Sequence, residues 1–401
     1  MRVLIVNALY PPLTTGSSHF TADLVAELRA RGHLVHVVTT VPPSSAGPID
    51  DDPDITRLRS RWVSPGELAF NYAIPVLRRG ATRAINRLMQ EWKPDVVSIH
   101  GQIFDLSWRS AIAARRANVP VVVSVHSAIR HTNAVADRIL QLGELLTVRP
   151  ALGGRSTHWI AVDKRTHEHT ADRYHVPPDR LSFAPVMLTA EQFQGGDGRR
   201  ARARFDLGDD PILLSLGHVV PVRDRIALVR SMPEILRVHP DLKLVIVGEL
   251  YTNTFMGVAD ELGVTRSIVT TGRVSHDWIP DLLAASSVEI HDLQGIGLGI
   301  TSLEAMAASV PIVAYVPKDN YPGTSMDEWP ELELLDDVQP RTIAGAVLRL
   351  LDDESHRRAV IAEQHRFVDA LFGPAAVTKR YEAVFESATR RVTPESGGTP
   401  R

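Results

Sequence analysis

Apolar residues along this chain come in short unbroken runs, and segments with helical spacing lie between them. RVLIVN (2–7), LVHVVTT (34–40), DVVSIHG (95–101), VPVVVSVHS (119–127) and HWIAVD (158–163) are β-branched runs of strand length. Such runs predict strands covered on both faces. After the first run, HFTADLVAELRARGH sets Phe20, Leu24 and Leu28 on one face and charges on the other, with Gly32 placed to stop the helix. Strands alternating with helices predict βαβ units and a parallel sheet, an α/β fold.

The alternation breaks at QFQGGDGRRARARF, where Gly195, Gly196 and Gly198 read as a linker. It restarts with PILLSLGH (211–218), LKLVIVG (242–248), SIVTTG (267–272), SVEIH (287–291) and PIVAY (311–315). Two α/β domains are expected, 1–193 and 199–375, followed by a helix over 376–391 and a disordered tail over 392–401. Open parallel sheets bind ligands outside the carboxyl ends of their strands, so two such sheets facing each other predict a cleft walled by loops.

Length and charge narrow the function. A chain of 401 residues suits two domains. A net charge of −3 lacks the basic excess of a nucleic-acid binder. No cysteine is present, which removes disulfides, thiolate metal sites and a cysteine nucleophile, and fits the cytosol. The first apolar run is too short for a signal peptide, and no window approaches the roughly 20 apolar residues of a membrane span.

The stretch HDLQGIGLGITSLEAMAASVPIVAY (291–315) carries the densest chemistry, with glycines at 295, 297 and 299. Gly297–Ile300 approach a helix expected to begin near Thr301, and a helix N-terminus favours an anion such as phosphate. Glu304 would repel that phosphate, so it reads either as a helix-capping residue or as an acceptor for neutral hydroxyls such as those of a ribose. LGHVVPVRDR brings His218, Arg223 and Arg225 beyond another strand end, as a solvated basic turn or as a diphosphate grip.

Other histidines read as less specific. Those of THEHTADRYH (His167, His169, His175) lack metal-ligand spacing and suggest a surface helix, and His33 reads as structural. His100 and His131 are open to an acceptor role. Arg79, Arg83 and Arg87 form a stripe that reads as a solvated face or as one resting on anionic lipid.

Taken together, YPP with its following glycine loop, LVAELRARGHLVHVVTT, LGHVVPVR, LVIVG, TGRVSHDWIPDLLAASSV and GLGITSLEAMAASVPIVAY resemble the retaining, nucleotide-sugar-dependent glycosyltransferases of family 4. The resemblance covers nearly the whole chain. It implies a GT-B fold of two Rossmann-like domains, with the C-terminal helix returning to the first. Arg223 then matches the family's phosphate-binding lysine, and His218 its phosphate-binding arginine. Leu298, Gly299 and Ile300 would offer backbone N–H groups to the diphosphate, with Gly297 in the approach. Glu304 would bind ribose and Val274 would lie beside the nucleobase. Gly16 matches the second glycine of the family's paired-glycine loop, and His126 a histidine near the transferred sugar.

Three departures stand out. Ile296 occupies the place of a glutamate that usually grips the donor sugar, so the donor is unusual, Asp292 or Gln294 reaches in instead, or activity is reduced. Histidine replaces arginine at 218. APVML (184–188) stands where the family has a PNG turn. The expectation is metal-independent glycosyl transfer, without a cofactor, from a nucleoside-diphosphate sugar to a small-molecule, glycan or lipid-linked acceptor. The expected place is the cytoplasm, with peripheral contact to the inner face of the membrane as one alternative. A nucleotide-sugar epimerase of the same architecture and a scaffold subunit without catalysis are the rivals.

Overall fold

The computed structural model describes residues 1–13, 15–49, 51–63, 73–128, 134–154 and 157–392. Of the tail expected over 392–401, Val392 ends helix Pro374–Val392 and residues 393–401 lie outside the described residues, as does His131. The chain divides into two compact units, Met1–Met187 joined by the segment from Pro374 onward, and Leu188–Gly373.

The first unit is built on a seven-stranded sheet. Its order is Ile55–Leu58, Leu34–Thr40, Arg2–Asn7, Val96–His100, Val121–Val125, Thr157–Ala161 and Leu181–Phe183, and every pairing is parallel. The unbroken apolar runs have a direct physical cause here. Val3 and Ile5 enter a core on one face with Val35, Phe20 and Leu24, while Leu4 and Val6 enter a core on the other with Val97, Ile99 and Val123. Both faces are covered, so every position in the strand must be apolar.

Helix Gly16–Ala30 starts at Thr15, whose hydroxyl accepts from Ser18 N–H at 3.2 Å. Helix Pro374–Val392 lays Val377, Tyr381 and Phe385 into the core that holds Val3 and Ile5. Glu382 on the same helix pairs with Arg31 at 2.7 Å and His33 at 2.8 Å, which gives His33 a structural place. A short antiparallel pair, Ser60–Val63 with Ile74–Leu77, is an addition that the run pattern does not announce.

The second unit holds a parallel sheet ordered Ile268–Gly272, Lys243–Val247, Ile212–Leu216 and Val288–Glu289. Single parallel bridges, Glu289 to Ile312 and Ala314 to Leu334, extend it, where the sequence predicts a full strand over 311–315.

The glycines read as a linker are close-packed instead. A Cβ on Gly196 would stand 2.1 Å from the Pro280 carbonyl oxygen, and one on Gly198 would stand 2.7 Å from that of Ala284. They let the start of helix Gly198–Phe205 lie on helix Ile279–Ala285. The division between the units falls earlier, at Met187 and Leu188.

Candidate functional site

Because the four strands of the second sheet are parallel, their carboxyl ends share one edge. The turns after them carry Gly217–His218, Gly248–Glu249, Gly272–Val274 and His291–Gly299. Gly248 makes the first two turns compatible. Its φ is +136°, and a Cβ there would lie 2.6 Å from the Gly217 carbonyl oxygen. We expect Gly248→Ala to cost about 2–4 kcal/mol, the sum of backbone strain and overpacking. A thermal melt checks this, and an unchanged midpoint would mean that the turns part without penalty.

His218 is exposed, and its Nδ1 accepts from the Glu249 N–H at 3.0 Å. That bond assigns the neutral ring's proton to Nε2, so the side chain presents an N–H donor outward, held edge-on against Tyr251. Arg223 is about one-third exposed, with Nη1 3.9 Å from Asp292 Oδ1. The same nitrogen would be 3.2 Å from a Cβ on Gly299, so the guanidinium lies at the start of helix Ile300–Ala307.

Arg225 does not share this position. It is buried, with Nε on Ser215 Oγ at 2.5 Å and its other nitrogens on the carbonyls of Arg223, Asp224 and Gly217 at 2.7–3.4 Å. Burial pulls its pKa down to about 10, against the pull of Glu289 and Asp292. It braces the turn, and only Arg223 of the two faces outward.

The glycine loop has two positions that need glycine. Gly295 has φ +66° and would press a Cβ to 3.1 Å from Tyr315, while Gly297 has φ +119° and would place one 2.4 Å from Asn320 Oδ1. Ile296 between them is 55% exposed, and so is Ile300 at 52%.

The backbone donors divide. Gly299 N–H donates to Asp292 Oδ2 at 2.5 Å, and Ser302 Oγ donates to the same oxygen at 2.9 Å. Gly299 is therefore not a free donor, because the buried Asp292 carboxylate already caps the helix. Leu298 and Ile300 N–H have no acceptor among the described residues. His291 sits behind this cap, with Nδ1 2.5 Å from Glu289 Oε1 and Nε2 3.2 Å from Asp292 Oδ1. Burial lowers its pKa, but the two carboxylates outweigh burial and the net shift is upward. Asp292 is thus unavailable to replace the missing glutamate at 296. Gln294 donates its amide to the Asp224 carbonyl at 3.1 Å and keeps its oxygen.

Glu304 is only 8% exposed, yet its carboxylate accepts no hydrogen bond among the described residues. It lies on the second turn of its helix, beyond Gly299, which is the N-cap residue, so it is not a cap. Burial first, and the nearby Glu289 second, push its pKa up to about 7, with His291 opposing. Its oxygens keep a path to solvent, so a ligand can reach them, and carboxylates whose pKa burial raises in this way cluster at ligand sites. Val274 is half-buried in the turn after Gly272.

In the first unit, Gly16 opens its helix with no atom within 4 Å of where a Cβ would stand, so open space lies beside that backbone. His126 follows strand Val121–Val125 and meets His100, at the end of the neighbouring strand, with Nε2 to Nδ1 at 3.2 Å. Burial holds both imidazoles well below the ordinary histidine pKa, so both are neutral. Phe20 tilts against both rings, and Tyr381 stacks on His100 while bonding Ser124. His100 is thereby fixed behind His126. Adjacent parallel strand ends carried this signal in the sequence.

The histidine-rich helix Lys164–Tyr174 is not simply a surface one. His169 faces inward beside Glu144, 3.6 Å away, and Tyr174. Among the described residues no group of three or more His, Asp or Glu could hold a metal ion.

Comparison with known proteins decides the family. The model for Glycosyltransferase Family 4 matches residues 14–186, and that for Glycosyl transferases group 1 matches residues 199–366. The chain belongs to glycosyltransferase family 4. A GDP-mannose-dependent alpha-(1-6)-phosphatidylinositol monomannoside mannosyltransferase of Mycolicibacterium smegmatis is 36% identical over 78% of this chain and 80% of its own. A D-inositol 3-phosphate glycosyltransferase of Acidothermus cellulolyticus is 26% identical over 84% of this chain and 78% of its own.

The family-4 fold is also that of solved structures. HepE of Anabaena, solved with UDP, superposes with a TM-score of 0.63 at 14% identity, covering 96% of this chain and 100% of that one. This is the GT-B fold. A UDP-N-acetylglucosamine 2-epimerase also superposes, at TM-score 0.53 and 15% identity over 100% of this chain and 99% of that one. Fold alone therefore does not separate the transferase from the epimerase, and family membership does. The protein is a glycosyltransferase that uses a nucleotide-sugar donor.

Proposed function

We propose that the donor's nucleotide lies along the carboxyl edge of the sheet in Leu188–Gly373. Glu304 accepts from the ribose hydroxyls and Val274 borders the base. Arg223, His218 Nε2–H and the N–H groups of Leu298 and Ile300 take the diphosphate. The observation that supports this reading is the Glu304 carboxylate, largely buried on the second turn of its helix, without a protein hydrogen bond among the described residues, and open to a ligand from solvent. As the glycosidic bond breaks, negative charge grows on the departing diphosphate. Arg223, His218 and the helix N-terminus meet that charge without a metal ion.

His126, held neutral by burial and oriented by His100, is the group we assign to the transferred sugar. Transfer proceeds with retention, and the acceptor is a glycan or lipid-linked hydroxyl compound, a class suggested by the relatives' names. NMR of the product's anomeric proton, starting from an α-linked donor, tests this. A β product would contradict it.

Ile296 shapes the choice of sugar. An apolar side chain cannot accept a hydroxyl's hydrogen bond, whereas a glutamate there would reject a donor lacking that hydroxyl. The enzyme is expected to tolerate or prefer a donor deoxygenated or substituted at that place, and Ile296→Glu to shift preference toward the hydroxylated sugar by about tenfold or more. Competition between a donor and its deoxy analogue measures this. A strong wild-type preference for the hydroxylated donor would sink the idea and point to Gln294.

A further inference from the structure

Helix Ala134–Leu152 leaves a row of large apolar side chains uncovered. Val135, Ile139, Leu142 and Leu146 are 68%, 67%, 56% and 66% exposed, and Leu145 is 37% exposed. Spacings of four, three and four residues put the first four on one stripe. The helix attaches to its own unit through the opposite face, where Glu144, Val148 and Leu152 are buried.

The charges on the stripe's own side of this helix are positive, while helix Lys164–Tyr174 brings Arg173 and one acid, Asp172, to the groove that Arg138 shares with Leu142 and Leu145. At 100° per residue, Arg149 and Arg138 stand roughly 50° and 70° from its centre, on the same solvent face. Neither has an acidic partner among the described residues. The helix's own acids are turned away or occupied. Asp137 is half-buried and accepts from Gln141 at 2.5 Å, and Glu144 is buried and accepts from Tyr174 Oη at 2.7 Å. Beside the stripe runs an open groove of about 590 Å³, with Leu145, Leu146, Arg149, Pro150, Trp159 and Val176 in its walls.

The stripe that the sequence offered for lipid lacks this combination. On helix Ala81–Trp92 the apolar residues Ala81, Ile85 and Met89 are in the core, so Arg83 and Arg87, with Arg79 just before the helix, face solvent with little apolar surface to insert.

We infer that the Val135–Leu146 stripe, with Arg138 and Arg149, is the surface by which this protein docks on a bilayer carrying anionic lipid. The apolar side chains enter the acyl boundary and the two unpaired guanidinium groups meet lipid phosphates, the pattern of an interfacial helix. The helix follows His126 in the chain, so docking brings that residue's unit to the lipid surface. The inference extends the lipid-linked acceptor reading without depending on the donor site.

The test is sedimentation of the full chain with phosphatidylcholine vesicles, with and without phosphatidylglycerol. Binding is expected only with the anionic lipid, weakening as salt screens the attraction. Ile139→Asp with Leu146→Asp, and separately Arg138→Glu with Arg149→Glu, should each lower vesicle affinity about tenfold or more. Arg83→Glu with Arg87→Glu should leave it unchanged. Nucleotide binding should be equal in all of these variants, which keeps a failure of docking distinct from a failure of the donor site. Equal sedimentation of the stripe variants and wild type would overturn the inference. So would a wild-type dimer, seen by light scattering, that the stripe substitutions dissociate, since the stripe would then belong to a second copy.

Discussion

Glu304→Ala lowers nucleotide-sugar affinity by about 2–4 kcal/mol, the worth of one or two hydrogen bonds to a charged group. Calorimetry on the folded variant reads this. The same residue gives binding a pH dependence whose sign follows from its environment. In the empty protein its pKa is pushed up to about 7 by burial and Glu289. Two ribose hydroxyls donating to it favour the charged form, so binding releases a proton when the pH is below that value. Affinity should rise from about pH 6 to about pH 8 and then level off. Glu304→Gln should abolish that slope.

Stability runs the other way. A folded pKa above the unfolded 4.5 means stability is fully present below 4.5 and is lost as pH rises through about 7. Glu304→Gln should therefore stabilise the empty protein above pH 7 by up to about 3 kcal/mol. Unchanged nucleotide affinity in Glu304→Ala, or a flat pH profile in wild type, would remove Glu304 from the site.

Arg223→Ala separates the diphosphate from the rest of the ligand. It should cost about 2–4 kcal/mol in nucleoside-diphosphate binding, from lost charge-assisted bonds to phosphate. Nucleoside binding should hardly change. Arg223→Lys, which keeps the positive charge, should recover part of the loss. The variant also leaves Asp292 without the cation 3.9 Å away, so its melting point should be recorded beside the affinities. Equal losses for diphosphate and nucleoside would mean a general folding defect and would contradict the assignment.

Much of the architecture was legible because strands buried on both faces must be apolar at every position. RVLIVN and PILLSLGH announce themselves for that reason. The short antiparallel pair was not legible. IPVL carries a proline, and its partner SRWV shows no run of apolar residues.

Glycines misled in one direction. In sequence, the glycines of QGGDG look like a flexible link, but at 196 and 198 they are there because neighbouring backbone leaves no room for a Cβ. The site was legible in its residue types more than in their division of labour. Arg223 and Arg225 look alike in a turn, and only the carbonyls around Arg225 decide which one faces inward. Asp292 sits in a loop whose chemistry was read as anion binding, yet its own carboxylate takes the Gly299 N–H. The periodicity of helix Ala134–Leu152 could not say whether its apolar face is covered, since that depends on what the tertiary structure brings to it.

The central claim, that Glu304 holds the donor's ribose, is tested most directly by a cycle of two changes. Binding of the preferred nucleoside diphosphate and of its 2′,3′-dideoxy analogue is measured by calorimetry in wild type and in Glu304→Ala. The account predicts that removing the hydroxyls weakens binding in wild type by about 2–4 kcal/mol and hardly at all in Glu304→Ala. Equal losses in the two proteins would show that the hydroxyls and the carboxylate never meet, and the account would be wrong.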